Sequence, residues 1–294
     1  MQTRTVVSTT LIAVTAAAAA AGGIHAKDGT NGTLTFESPV LTAYVSTVYS
    51  TPTRKSSLEL WTPKWIKHHL VQPFPEPEPT SVSDCASVMF KPQLHVVRGC
   101  HPYPAVNEVG ETGSGLKPTG RPDGQCKGSG YGSQIYGRSV RYRGKWAIMY
   151  AWYFPKDNAD HKRHDWEHVI VWIDNPAAGN PEVLAVTPSC GKSAYLRKVP
   201  PGPEYMSGES VKLSYGADIK DDYRLKFTTE TGEHQSLIMW EQLPEDARRA
   251  FNGILWSNVM MPLNDAWFMS ELKRAWPFGK WKKGLVNATS GTAS

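Results

Sequence analysis

Four carboxylates and three histidines fall within twelve residues, Asp157-Asn158-Ala159-Asp160-His161-Lys162-Arg163-His164-Asp165-Trp166-Glu167-His168. Hard oxygen donors of this kind suit Mg²⁺ or Ca²⁺, and an added imidazole shifts the preference toward Mn²⁺ or Zn²⁺. If residues 164–173 are extended, their side chains alternate between two faces. Asp165 and Glu167 then share a face with Val169 and Val171, and His164, Trp166 and His168 share the other. Two carboxylates leading into a core strand resist ionising together unless a cation compensates them. A divalent ion is one such cation; Lys162 or Arg163 is another. His164 and His168 read as hydrogen-bonded structural residues rather than ligands. The bland reading is a solvated connecting loop whose charges pair locally, since loops between strands are polar as a rule.

Catalysis by these groups would take a metal-bound water positioned by His164, Asp165 and Glu167. The chain has no HExxH, no Gly-x-Ser-x-Gly and no phosphate-cradling glycine loop. No nucleophile has its own base, so metal-dependent hydrolysis is a remote alternative and the chain reads as a non-enzyme.

The elements that must hold this segment are strands. Trp146–Phe154 is rich in aromatic residues, and Val169-Ile170-Val171-Trp172-Ile173, within a strand expected over His168–Asp174, is nearly continuous apolar sequence. Such a run fits a strand buried on both faces. Further strands are expected at Gln134–Tyr142, Glu182–Thr187, Ser210–Tyr215, Tyr223–Thr228 and Gln235–Trp240, with turn residues between many of them, the pattern of a β-sandwich. Two helices are expected late in the chain. Pro244 takes a first helical position, followed by Glu245 and Asp246 at the positive end of the dipole. The second begins near Asn264-Asp265, repeats Phe268, Leu272 and Trp276 at helical spacing, and stops at Pro277. Gly110–Gly132 holds eight glycines and two prolines and reads as a long tethered loop. Prolines at alternate positions in Gln72–Pro79 favour an extended entry along the surface.

A polar start with Arg4, a short apolar run from Leu11 to Ala21 and the small Ala26 give residues 1–26 the form of a secretory signal. The run is too short and too alanine-rich to span a bilayer, which takes about 20 strongly apolar residues. Residues 27–65 read as an N-terminal extension, 66–279 as one mainly β domain with a few peripheral helices, and 280–294 as a tail. A net charge of +5 with dispersed basic residues argues against nucleic acid as a partner. Cys85, Cys100, Cys126 and Cys190 form no CxxC pair, and in a secreted chain an even count suggests disulfides, with three connectivities open. Asn31 and Asn287 begin glycosylation sequons.

The stretch His161-Lys162-Arg163-His164-Asp165-Trp166-Glu167 matches five of seven positions of the heptapeptide Gly-His-Arg-His-Asp-Trp-Glu. That heptapeptide is the hallmark of the necrosis- and ethylene-inducing-like proteins, the NLP cytolysins and effectors of plant-associated oomycetes, fungi and bacteria. Ala147–Asp157 resembles the family's other characteristic block. Phe90–Leu94, Gly99–Val106, Leu116–Gly120, Gly132–Ser139 and Trp240–Pro244 extend the likeness over about residues 66–279. The resemblance implies a lectin- and actinoporin-like β-sandwich, secretion into host plant tissue, and binding of glycosylated sphingolipid head groups on the plant plasma membrane. It implies a divalent cation, Mg²⁺ or Ca²⁺, in an acidic cleft formed by Asp157, Asp165, Glu167 and Asp222. It implies that plant immune receptors detect the Ala147–Glu167 region, and that Cys100 pairs with Cys126, leaving Cys85 and Cys190 to pair with each other.

Two histidines of the family pattern are missing: Lys162 and Tyr223 stand in their places, and the loop after Asp157 is shorter by about three residues. A protonated ammonium has no lone pair and cannot ligate a metal. It repels a cation and neutralises the carboxylates itself; His161 is the alternative ligand if the loop slips by one residue. Lys162 therefore points to loss or weakening of the metal site, and to a weakly toxic or non-toxic effector or a non-lytic secreted decoy.

Overall fold

A computed structural model describes residues 62–191, 194–216, 224–257 and 259–279. The expected signal segment, the sequons at Asn31 and Asn287, the tail, and the site positions Asp222 and Tyr223 lie outside the described residues. All described residues belong to one compact unit that begins at Leu60.

The strands are β1 (Lys64–Ile66), β2 (Gln93–Val96), β3 (Glu111–Gly113), β4 (Gln134–Tyr142), β5 (Lys145–Phe154), β6 (Asp165–Ile173), β7 (Val183–Pro188), β8 (Met206–Ser207), β9 (Ser210–Tyr215), β10 (Leu225–Phe227) and β11 (Ser236–Met239). The helices are α1 (Val82–Met89), α2 (Glu245–Gly253) and α3 (Phe268–Ala275). One sheet has the order β11-β4-β5-β6-β7; a second has β10-β9-β2 with β8 on β9; β1 and β3 form a parallel pair. This is the expected mainly β sandwich with peripheral helices.

The central hairpin sets the frame. β4 and β5 are joined through Arg143 (φ 48°) and Gly144 (φ 79°), a two-residue loop with both φ positive that matches the natural strand twist. β5 pairs antiparallel with β6, placing Phe154 opposite Asp165, Trp152 opposite Glu167 and Tyr150 opposite Val169. All nine residues of β6 are buried, because both faces of the sheet are covered. On one face Phe154 stacks on Tyr215 of β9 with ring centroids 3.8 Å apart, and the Tyr150 hydroxyl donates to the Ser87 carbonyl of α1 at 2.7 Å. On the other, Tyr136, Trp166 and Trp256 pack against Phe251 of α2.

Several boundaries differ from expectation. β1 pairs with β3, so ordered structure begins at least two residues inside the stretch assigned to the extension, and the glycine-rich loop carries a short strand that needs this partner. β6 starts at Asp165 rather than His168, because the register with β5 draws the acidic residues into the ladder. Pro244 is the N-cap of α2, one position before the helix. α3 starts at Phe268, since the Asn264 side chain accepts the Trp267 N–H and ends a preceding turn there. α1 escapes periodicity analysis at eight residues, yet Ser81 and Asp84 form a reciprocal capping box at its start. Among the described residues no helix is long and apolar enough to cross a membrane.

Candidate functional site

The acidic segment closes the β5–β6 connection. Asp157 and Lys162 exchange both backbone hydrogen bonds, at 3.0 and 2.9 Å, which makes 157–162 a tight reverse turn. The Asp157 Oδ1 accepts the N–H groups of Ala159 (2.7 Å) and Asp160 (3.3 Å), so this carboxylate folds the turn that presents it. His161 sits at the exposed tip with φ 53°, in the left-handed region. It does not take Lys162's place.

Lys162 is the group that turns inward. Its Nζ lies 2.8 Å from Asp160 Oδ2 and 3.9 Å from Asp165 Oδ1. Burial pulls the ammonium pKa down, but attraction to Asp165, Asp160 and Asp157 outweighs it, and the net shift is upward. Asp165 is fully buried; desolvation, aided by the Asp157 charge, pushes its carboxyl up to about 7, with Lys162 opposing. Glu167, one step deeper on the same face, is raised well above the carboxylate range by burial and then by Asp165. The Ser189 hydroxyl donates to Glu167 Oε2 and accepts the His168 N–H at 3.0 Å, which fixes that carboxyl against the strand. Tyr215 Oη stands 3.5 Å from Asp165 Oδ2.

The remaining heptapeptide side chains brace this arrangement. Arg163 donates to the Ser114 carbonyl at 3.2 Å. His164 Nδ1 lies 2.7 Å from Tyr153 Oη, and burial followed by the Arg163 charge lowers its pKa to about 4. Trp166 joins Tyr136, Tyr153, Phe251 and Trp256. His168 Nε2 lies 2.6 Å from Tyr195 Oη, which donates to Glu271 Oε2 at 2.5 Å; burial, then Arg274, brings His168 to about 3. Both histidines are structural, as their neighbours in sequence suggested.

The structure brings Asp157, Asp165 and Glu167 to one end of the sheet. Asp157 Oδ1 accepts backbone N–H groups, Glu167 Oε2 accepts from Ser189, and the Lys162 ammonium faces Asp165 Oδ1; among the described residues no group of three or more His, Cys, Asp and Glu is placed to hold a metal ion. Asp222, the fourth expected donor, lies outside the described residues. Ser189, Tyr215, Tyr195 and Glu271 were not legible as site residues: each reaches the segment from a distant element, and no local spacing marks it.

Cys100 and Cys126 form the disulfide, with Cα atoms 4.9 Å apart. The second bridge expected between Cys85 and Cys190 is not formed. Cys85 is on α1, which lies over β4 and β5, whereas Cys190 follows β7 at the far edge of the sheet.

Residues 84–275 match the family described as necrosis inducing protein (NPP1). Over 221 residues the chain is 55% identical to an NLP effector protein of Phytophthora capsici, covering 74% of this chain and 64% of that one. Over 221 residues it is 51% identical to NLP effector protein 3 of Plasmopara viticola, covering 74% of this chain and 99% of the relative. Among solved structures it is similar to the non-toxic HaNLP3 protein, with TM-score 0.70, 44% identity and coverage of 72% of this chain and 99% of that one. It is also similar to NLPPya in complex with mannosamine, with TM-score 0.67, 40% identity and coverage of 72% and 99%. The sandwich, the β5–β6 turn with its heptapeptide and the disulfide-tethered loop all lie within the matched span, and the chain belongs to the necrosis-inducing, NLP, family.

Proposed function

We propose that this chain is a secreted, plant-directed NLP effector that engages glycosylated head groups of plant plasma-membrane sphingolipids without a bound divalent cation, and that its toxicity is weak or absent. The observation that carries this reading is the Lys162 ammonium lodged between Asp160 and Asp165. It supplies positive charge where a cation would otherwise compensate Asp165, and it repels any ion that approaches. Likeness to a chain described as non-toxic, and to one complexed with an amino sugar, supports both halves of the reading. No catalytic step is assigned to the site.

Titration calorimetry with Mg²⁺ and Ca²⁺, leakage from vesicles of plant sphingolipids and infiltration into broad-leaved tissue test it together. The expected results are no cation heat and little leakage or necrosis. Rapid necrosis at low dose, or leakage abolished by a chelator, overturns it.

A second reading, a non-lytic decoy sensed by plant immune receptors through Ala147–Glu167, is favoured by a different observation. Residues 147–157 are buried throughout, and Ala147–Phe154 form the middle of the sheet. A receptor meets this block only after the domain is unfolded or cleaved. A synthetic 147–167 peptide should elicit an immune response that the intact, protease-protected protein does not.

A further inference from the structure

Two cavities of about 560 and 510 Å³ adjoin on the molecular surface, and both are lined by Val96, His101 and Lys127, so they form one trough. None of Asp157, Lys162, Asp165 or Glu167 lines it. The disulfide builds its waist. His101 and Lys127 each directly follow a bridged cysteine, and the His101 N–H donates to the Cys126 carbonyl at 2.9 Å. The bridge and this hydrogen bond thereby bring the backbone of His101 and Lys127 together where the two cavities meet.

The two ends differ in chemistry. The larger is lined by Ser129, Ser133, Thr231 and Gln235, by one acid, Glu233, and by Gly128, Gly132 and Gly232. Gly232 is required there: a Cβ would lie 2.3 Å from the Leu94 carbonyl carbon, where residues 231–233 close onto β2. Side-chain hydroxyls suit a polyhydroxylated ring, which needs donors and acceptors at short range; the N–H groups of Gly128, Gly132 and Gly232 are already bonded to Tyr103, Ser129 and Gln93. The smaller end is lined by Arg98, Arg121 and Lys127. Its one acid, Asp123, is shared between Arg121 at 3.2 Å and Lys127 at 3.4 Å, so cations outnumber it three to one. Exposed guanidinium and ammonium groups converging on an open trough are a receptor for an oxyanion.

We propose that this trough is a second ligand site, separate from the carboxylate turn, that takes an anionic saccharide. The ring lies against Ser129, Ser133 and Thr231, and its carboxylate or phosphate lies against His101, Lys127 and the two arginines. The proposal does not depend on how the carboxylate turn is read.

Calorimetric titration of the full chain with trigalacturonate, galactose 6-phosphate and neutral galactotriose tests it. Binding of either anionic probe, at least about ten-fold tighter than galactotriose, is expected, and the tighter of the two identifies the anion. Lys127→Gln and Arg98→Gln, both at exposed positions, should each weaken it about ten-fold, and added salt should weaken it further. Lys162→Met should leave it unchanged. The proposal is overturned if neither anionic probe binds up to about 10 mM, the limit of useful affinity. It is equally overturned if galactotriose binds as well, if inorganic phosphate alone binds as tightly as galactose 6-phosphate, or if both substitutions are without effect.

Discussion

Replacing Lys162 by methionine keeps the length of the side chain and removes its charge, so it isolates what the ammonium does for the buried carboxylates. At 3.9 Å from Asp165 Oδ1, two unit charges interact by about 1 kcal/mol in water and about 4 kcal/mol at an effective dielectric of 20. The Lys162 side chain is 35% exposed, so solvent screening places the interaction toward the lower end, about 1–2 kcal/mol. The pH dependence fixes the sign. Asp165 is raised to about 7 in the folded protein, above its unfolded value of about 4. Its ionisation therefore opposes folding, with a penalty that grows as pH rises through the folded value. Lys162 reduces that penalty only where Asp165 is charged. Urea denaturation should show Lys162→Met less stable than the parent by about 1–2 kcal/mol at pH 8. The deficit should shrink toward pH 5, where the Asp165 proton is on and only the more exposed pair with Asp160 is left. Equal stability at pH 8, or a deficit that persists unchanged at pH 5, would refute the assignment of Lys162 as the built-in counter-cation.

Three further outcomes follow from the same geometry. Replacing Cys100 and Cys126 together by serine opens a loop of sequence separation 26, and chain entropy then predicts a loss of about 3.5 kcal/mol, measurable by urea denaturation as a lower midpoint with a steeper slope, since the opened chain exposes more surface. Gly115→Ala should cost more than about 2 kcal/mol, because φ is +63° and a Cβ would lie 2.7 Å from the His164 ring; thermal melts check it. His164 is held near 4 by burial against about 6.5 unfolded, so it contributes stability at neutral pH that is lost as pH falls from about 6.5 to 4. A His164→Gln variant should lack that part of the acid limb, a difference on the order of 3 kcal/mol, and parallel acid limbs in the two proteins would contradict it.

How much of this was legible in the sequence depends on how local each signal is. β5 and β6 announce themselves, because an almost unbroken run such as Val169–Ile173 has no polar face to show to water, and a sheet covered on both sides is the arrangement that uses it. The carboxylate pair follows by alternation alone: once β6 is extended, Asp165 and Glu167 must point together. What alternation cannot supply is the direction of Lys162, which lies in a turn. That direction is set by the two backbone hydrogen bonds between Asp157 and Lys162, which leave His161 at the left-handed tip and swing the next side chain back over Asp165. The partners that hold Glu167 and His168 were illegible for the opposite reason. Ser189 lies just beyond β7, Tyr195 in the segment that follows and Glu271 on α3, and each is an ordinary polar residue in its own neighbourhood. Only closure of the sheet edge and docking of α3 turn them into one buried chain of hydrogen bonds behind the acidic turn. Because that chain fixes β6 through both Glu167 and His168, the scaffold of the cleft does not depend on what compensates the Asp165 charge. This chain can therefore carry a lysine there and still fold as its metal-binding pattern would require.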